Sequence, residues 1–403
     1  MFFSKKEEIN TDTEKINELL NRGVDTVYPS KEALEKVLVS GKKLKLYQGF
    51  DPTGNTLHIG HMVGLRKHRQ WQDLGHEVIF LVGDGTGEAG DPTGKKKTRE
   101  KFFTSEELRL NAKDYLIQAS KIVRFGGPNP IKILYNGDWL NKLTKSDILN
   151  IAEHFTVQQL IERDMFQERL KQGEPIHMRE FLYPLLQAYD SVEMEVDLEL
   201  GGSDQTFNML AGRMLLKAMK HKEKFVMTTP LLSDSKGEKI GKSEGNTIAL
   251  TDTPDELFGK IMSLTDDAIV PLFTPLTDTP EAEIQSFDIA KNPLELKKRA
   301  AQLVITQLYS NEKASQAQEN FETTFSKKGI PENVVIIPIS DEARIADKLI
   351  DMNIVESKTD LRRLVADGAI SSVLTGKKVD SLDDLENHDV YKIGKHRFIR
   401  VKR

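Results

Sequence analysis

Two short clusters in the chain hold residues suited to handling phosphate. The first is Leu57-His58-Ile59-Gly60-His61. Ile59, Met62 and Val63 follow at helical spacing, so the cluster sits where the chain enters a helix. A helix N-terminus presents unpaired N–H groups and favours anions. Histidines three apart on that first turn project toward one point. Their ring N–H groups can stabilise negative charge that grows on a nucleotide's α–β phosphate bridge as pyrophosphate departs. Gly60, lacking a Cβ, lets a flat base lie against the backbone. A loop histidine pair at a helix start is the plainer alternative. A metal pair is disfavoured, because no third ligand stands nearby. The second cluster, Lys239-Ile240-Gly241-Lys242-Ser243, follows a strand and turn at Pro230-Leu231-Leu232. Two lysines three apart suit mobile clamps on a triphosphate. Taken alone they read as a solvated loop; behind the histidine cluster, and in that order, the phosphate reading gains.

Three further stretches carry polar groups in suggestive patterns. Within 181–190, Tyr183, Gln187 and Asp190 are spaced by four and three and so share one helix face, which an amphipathic helix with an exposed polar side would also show. Gly201-Gly202-Ser203-Asp204-Gln205 reads as a glycine turn opening a helix. Gly202 permits close approach and Asp204 can accept from a ribose hydroxyl, while Ser203 or Asp204 could equally serve as an N-cap. The loop from Gly90 to Arg99 is basic and glycine-flanked. Its plain reading is a solvated charge run, and it lacks the order of a P-loop.

The elements that must position these groups follow from patterning. Residues 43–50 form a strand candidate, a turn-rich loop covers 51–55, and the helix from Ile59 stops at Gly75. Residues 77–82 (EVIFLV) read as a buried strand. Strand, helix and strand make a βαβ unit and hence a parallel sheet. Residues 131–135 and 225–228 add strands, with helices around 145–163 and 204–220. The expectation is a doubly wound α/β domain over about residues 40–235, preceded by charged helices with Ile16, Leu19 and Leu20 on one face. Residues 254–330 are charged and mostly helical, 330–340 read as a linker, and 341–403 read as two helices followed by short strands.

The histidine and lysine clusters together resemble the two signatures of class I aminoacyl-tRNA synthetases. The first matches the HIGH pattern; the second reads KIGKS where the family pattern is KMSKS, keeping both lysines and the serine. The resemblance spans essentially the whole chain and points to the tyrosyl branch. It implies a Rossmann-like catalytic domain with N-terminal helices (1–235), the KMSKS-like loop with an α-helical anticodon-binding domain (236–330), a linker (331–340) and an S4-like RNA-binding domain (341–403). It also implies a homodimer, with L-tyrosine, ATP and tRNA(Tyr) as substrates and Mg²⁺ carried by ATP.

Residue roles come with it. Asp190 would accept a hydrogen bond from the tyrosine phenol, and Tyr47 would meet the same hydroxyl. Leaving a buried Asp190 unpaired explains the rejection of phenylalanine. Tyr183, Gln187 and Asp91 would hold the ammonium, and Gln205 would lie near the carboxylate. Asp51 would meet the amino or ribose side, Thr53 the γ-phosphate, and Leu231 the adenine. Lys95 and Arg99 would close over pyrophosphate in the transition state, raising turnover more than affinity. Gln48 stands where some relatives carry a small residue, and Thr206-Phe207-Asn208 occurs in one family branch only, which bears on the ribose contacts. A tryptophanyl enzyme, a nucleotidylyltransferase and a non-enzymatic RNA-binding paralogue are the rivals. Asp190 and Tyr47 favour a phenol over an indole, and both signatures stand intact.

The bulk composition bears on partners. The 403 residues carry a formal net charge of -5, so an RNA surface must come from local clusters. Residues 341–403 are nearly neutral, with 13 Lys and Arg against 12 Asp and Glu, but their signs are segregated. Lys392, Lys395, Arg397, Arg400, Lys402 and Arg403 form an acid-free tail, and Arg362-Arg363 sits on a helix. Such clusters suit an RNA backbone, or a solubilising tail. With no cysteine, disulfides and thiolate metal sites are excluded. The N-terminus is polar at once and no stretch is long and apolar enough to span a bilayer, so a cytoplasmic protein is expected.

Overall fold

A computed structural model describes residues 9–95, 102–233, 240, 247–325, 334–338, 345–352, 354–373, 378–379, 390–394 and 397–402. The chain forms two compact units, Met1–Thr251 with Leu264–Leu296, and Asp252–Ser263 with Lys297–Arg403.

The first unit is built on a six-stranded sheet of β1 (Thr26–Tyr28), β2 (Lys45–Phe50), β3 (Glu77–Val82), β4 (Lys132–Tyr135), β5 (Leu198–Gly202) and β6 (Phe225–Thr229), in the order β1-β6-β5-β2-β3-β4. All neighbours are parallel except β1, which runs antiparallel to β6. The chain leaves β2 toward β3 and β4, then returns on the other side of β2 as β5. The reversal opens a crevice beyond the carboxyl ends of β2 and β5, where ligands bind in sheets of this kind. The doubly wound α/β expectation therefore stands.

Local chemistry explains the core of this arrangement. In β3 every residue after Glu77 is buried, as a strand covered on both faces requires. Phe50 and Phe80 stack across β2 and β3 with centroids 4.2 Å apart, and Phe50 also meets His68 of the helix that follows β2. The helix Ile59–Asp73 buries Ile59, Met62, Val63, Leu65 and Trp71, and the chain turns out of it at Gly75, whose φ of 92° suits a residue without Cβ.

Three expectations change. Leu198–Gly202 is a strand, so Gly201 and Gly202 end a strand and form no turn. Glu199, buried at 2% exposure, hides that strand by breaking the apolar run. Residues 264–296, expected within the helical domain from residue 236, group with the first unit. The helix Ile269–Leu276 buries Ile269, Leu272, Phe273 and Leu276, and Arg66 on the histidine helix donates to the carbonyl of Pro275 at 3.1 Å. Finally, Val335–Pro338, expected in a linker, is a strand.

That strand, β7, belongs to the second unit. It pairs in parallel with β10 (Arg397–Lys402), which continues antiparallel to β9 (Val390–Ile393) and then β8 (Ile370–Ser372). Ile337, Leu349, Leu361, Ile370, Tyr391, Ile393 and Ile399 form one apolar core there, under the helices Ile345–Asp351 and Lys358–Ala366. Elsewhere in this unit, Phe258 on the helix Pro254–Met262 meets Phe321 on Asn311–Phe325, with centroids 5.2 Å apart.

Candidate active site

At the carboxyl end of β2, His58 is the N-cap of the helix it precedes. Its Nδ1 accepts from the Gly60 N–H at 3.1 Å, and the Nδ1 of His61 accepts from the His58 N–H at 3.1 Å. Both rings thus use Nδ1 as an acceptor, which leaves the neutral tautomer with its proton on Nε2. The two rings lie 3.9 Å apart. A Cβ on Gly60 would stand 2.9 Å from the His58 ring, so this glycine serves the imidazole stack first. Gln118 steadies the approach, accepting from the Leu57 N–H at 2.7 Å and donating to the Asn55 carbonyl at 2.8 Å.

The histidines line a cavity of about 420 Å³ with Tyr47, Asp51, Thr53, Asp91, Lys95, Tyr183, Gln187, Asp190, Gly202, Asp204 and Gln205. Residues from well-separated stretches of the chain thus line one cavity. At its floor, Asp190 is 2% exposed. Its Oδ1 accepts from Trp139 Nε1 at 2.9 Å and its Oδ2 from Asn136 Nδ2 at 3.1 Å. Burial pushes the Asp190 carboxyl well above its ordinary range, against the opposing pull of those two donors. The Tyr47 hydroxyl lies 3.0 Å from Ser191 Oγ. Burial, with Asp51 and Asp91 nearby, likewise raises the Tyr183 phenol, so it stays a neutral donor.

The other polar groups form linked pairs. Gln205 Nε2 donates to Asp91 at 2.8 Å, and Asn208 fixes the Gln205 carbonyl oxygen at 2.7 Å. Thr86 donates to Asp51 at 2.8 Å. Gln187 Nε2 donates to Glu199 Oε1 at 3.1 Å. Behind it Lys224 and Glu199 form an ion pair, both side chains essentially inaccessible. Burial draws Lys224 down while Glu199 opposes the shift. Arg163 donates to Thr93 at 3.0 Å and lies over the Phe207 ring, tying down the stretch that carries Asp91 and Lys95. Asn136, Trp139, Ser191, Glu199, Lys224 and Arg163 escaped sequence reasoning. Apart from Asn136 and Trp139, which belong to one short helix and its N-cap, they come from separate stretches, and each acts on another side chain.

Other site residues are only partly placed. A Cβ on Gly202 would stand 2.8 Å from Asp204 and 3.3 Å from Leu231, consistent with a close approach at this strand end. Gln48 lies over Gly64 of the histidine helix. Lys239, Lys242, Ser243 and Arg99 lie outside the described residues. The flank of the lysine cluster does not: Ile59 donates to the Ile248 carbonyl at 2.9 Å, and Leu250 to that of Leu57 at 2.8 Å. In the second unit Arg362 and Arg363 are exposed on the helix Lys358–Ala366, with Arg363 paired to Asp360 at 2.7 Å. Arg397 donates to the Ile354 carbonyl and is therefore partly a structural residue. Lys392 and Arg400 lie in β9 and β10, and Lys395 falls outside the described residues.

Comparison with known proteins agrees with this geometry. The family model for class I tRNA synthetases (W and Y) matches residues 40–326. The tyrosine–tRNA ligase of Thermotoga maritima is 38% identical over 392 residues, covering 95% of this chain and 96% of that protein. That of Desulfotalea psychrophila is 41% identical over 398 residues, covering 95% and 97%. Among solved structures, a C-terminally truncated mitochondrial tyrosyl-tRNA synthetase of Coccidioides posadasii superposes with a TM-score of 0.60 at 25% identity, covering 76% of this chain and 91% of that one. With its Rossmann-like sheet and its near full-length likeness to these enzymes, the chain belongs to the class I tRNA synthetases of the tryptophan and tyrosine group, among the tyrosine–tRNA ligases.

Proposed function

We propose that the pocket activates L-tyrosine with ATP and that the chain passes the tyrosyl group to tRNA(Tyr). The observation that carries the amino-acid choice is Asp190: a nearly inaccessible carboxylate, aimed into the cavity beside Tyr47, suits a phenol O–H donor. Phenylalanine would leave it without the hydrogen bond that the phenol supplies. For tyrosine enzymes as a class that discrimination reaches about 10⁵, a magnitude known for the class and no result of this geometry. Tyr183, Gln187 and Asp91 receive the ammonium, and Gln205 faces the carboxylate.

In the first step a tyrosine carboxylate oxygen bonds to the α-phosphorus of ATP and the bond to the β-bridging oxygen breaks. The electron pair leaves with pyrophosphate. The Nε2–H groups of His58 and His61 meet that growing charge, with Lys239, Lys242, Ser243, Lys95, Arg99 and Thr53 around the phosphates. Pairing of residues 248–250 with 57–59 supports a lysine cluster near the histidines. Asp51, Gly202, Asp204 and Leu231 take the nucleoside side, with Gly60 under the base. In the second step a ribose hydroxyl of the tRNA 3′ adenosine attacks the tyrosyl carbonyl and AMP leaves. No side chain forms a covalent bond, so positioning and electrostatics supply the rate.

Among the described residues no three carboxylate or imidazole groups converge as a metal site. By the family resemblance Mg²⁺ would ride on the triphosphate, where it would neutralise part of the phosphate charge. The S4-like reading of residues 341–403 rests on the small sheet with Arg362 and Arg363 exposed beside it. A homodimer and a cytoplasmic location follow from the family resemblance; no described helix is long and apolar enough to cross a membrane. ATP–pyrophosphate exchange with a panel of amino acids tests the whole reading. Tyrosine-dependent exchange is expected, and tryptophan-dependent exchange or none would overturn it.

A further inference from the structure

The buried Lys224–Glu199 pair lies behind the tyrosine pocket and takes no part in the chemistry above. Burying two charges in a protein interior is unfavourable unless each is fully hydrogen-bonded, so their placement calls for a reason. Glu199 uses both oxygens. Oε2 pairs with Lys224 and stands 3.4 Å from Ser191 Oγ, while Oε1 accepts from Gln187 Nε2 at 3.1 Å. A carboxylate is an acceptor only. It therefore fixes which end of the Gln187 amide faces it, since the reverse orientation would set oxygen against oxygen. The Gln187 Oε1 is consequently turned away from Glu199, buried and without a hydrogen-bond partner among the described residues. Gln187 lines the cavity, so this oxygen is an acceptor prepared for a donor from outside the described residues.

We infer that Glu199, paired with Lys224, is a positioning residue that orients Gln187 to accept a hydrogen bond from the substrate's α-ammonium group. The inference rests on the tyrosine reading of the pocket. Gly212 makes room for the device: a Cβ there would stand 2.7 Å from Lys224 Nζ and 2.9 Å from Ser191 Oγ. Lys224 also donates to Ser191 at 2.6 Å, and Ser191 in turn meets the Tyr47 hydroxyl, so one ion pair steadies groups at both ends of the pocket.

Calorimetric titration of the full chain with L-tyrosine and with its desamino analogue, 3-(4-hydroxyphenyl)propanoate, separates orientation from general packing. In Glu199→Gln the amide partner can donate as well as accept, and Gln187 loses its fixed sense. Affinity for tyrosine should fall about tenfold, the worth of one hydrogen bond to a charged group, while the analogue loses less than about twofold. Gly212→Ala, which leaves both charges in place but crowds Lys224, should show the same selective loss to a smaller degree. If Glu199→Gln does not fold, the charge-free pair Glu199→Gln with Lys224→Met is read by the same criterion. Equal loss for both ligands, or no loss for tyrosine, overturns the inference alone. A wild-type chain that binds neither ligand overturns the tyrosine reading and the inference together.

Discussion

At the floor of the pocket Asp190 is held by Trp139 and Asn136, and a buried ion pair stands behind Gln187. At the histidine end the groups are half-buried, sit on a helix N-terminus and a loop, and spend Nδ1 on the backbone. The floor is finished before any substrate arrives, and its partners face in for a ligand whose shape does not change during reaction. The histidine end is arranged for charge that exists only while a phosphate bond is breaking. Recognition thus calls for buried, mutually braced polar groups, and catalysis for donors whose best partner appears in the transition state.

Substitutions at the two ends should separate along that line. Asp190→Ala is the harshest test. Removing one member of a buried hydrogen-bonded set costs about 2–5 kcal/mol, so kcat/KM for tyrosine should drop by roughly 10³ and most of the preference over phenylalanine should vanish. Pyrophosphate-exchange kinetics with both amino acids read this directly, and retained selectivity would erase the distinction between floor and rim. Next, His61→Ala should lower kcat for activation by about 10²-fold while the tyrosine KM moves little. A large KM change at constant kcat would place this histidine with the recognition groups.

The comparison also has a pH signature. Burial raises Asp190 above the ordinary carboxylate range, so on acidification the folded protein takes up this proton before the unfolded chain does. The ionised form accepts the phenol best, and tyrosine KM should climb up to about tenfold per pH unit on the acid limb with kcat holding steadier. By the same sign, wild-type stability relative to Asp190→Asn should improve as pH falls through the raised value, which thermal denaturation across pH would show. The smallest effect is expected far from the pocket. Arg362→Ala with Arg363→Ala should weaken tRNA charging by about tenfold or less, flatten its salt dependence and spare tyrosyl-adenylate formation. An unchanged tRNA affinity across a salt series would remove these arginines from the RNA surface.

What could be read from the chain alone follows the same division. β3 and the histidine helix announce themselves by local periodicity, and the pairing of Tyr183, Gln187 and Asp190 follows from helical geometry. Strand β5 did not, because a buried Glu199 imitates a surface residue when its counter-ion Lys224 is not yet in view. Trp139 and Asn136 were equally invisible, since their part is to hold Asp190 and nothing near them in the chain says so. A polar residue whose partner is distant carries no local mark, and the recognition end is made almost wholly of such residues.

Strand β1 has a consequence for how the molecule is made. Its Thr26 hydrogen-bonds to Thr228 across a separation of 202 residues, and among the described residues its one sheet neighbour is β6. Until β6 has formed, β1 has no place in that sheet. Long-range pairing of this kind slows folding and leaves an edge exposed meanwhile. Its brevity, three residues followed by Pro29, limits what a stray strand could pair with during that wait.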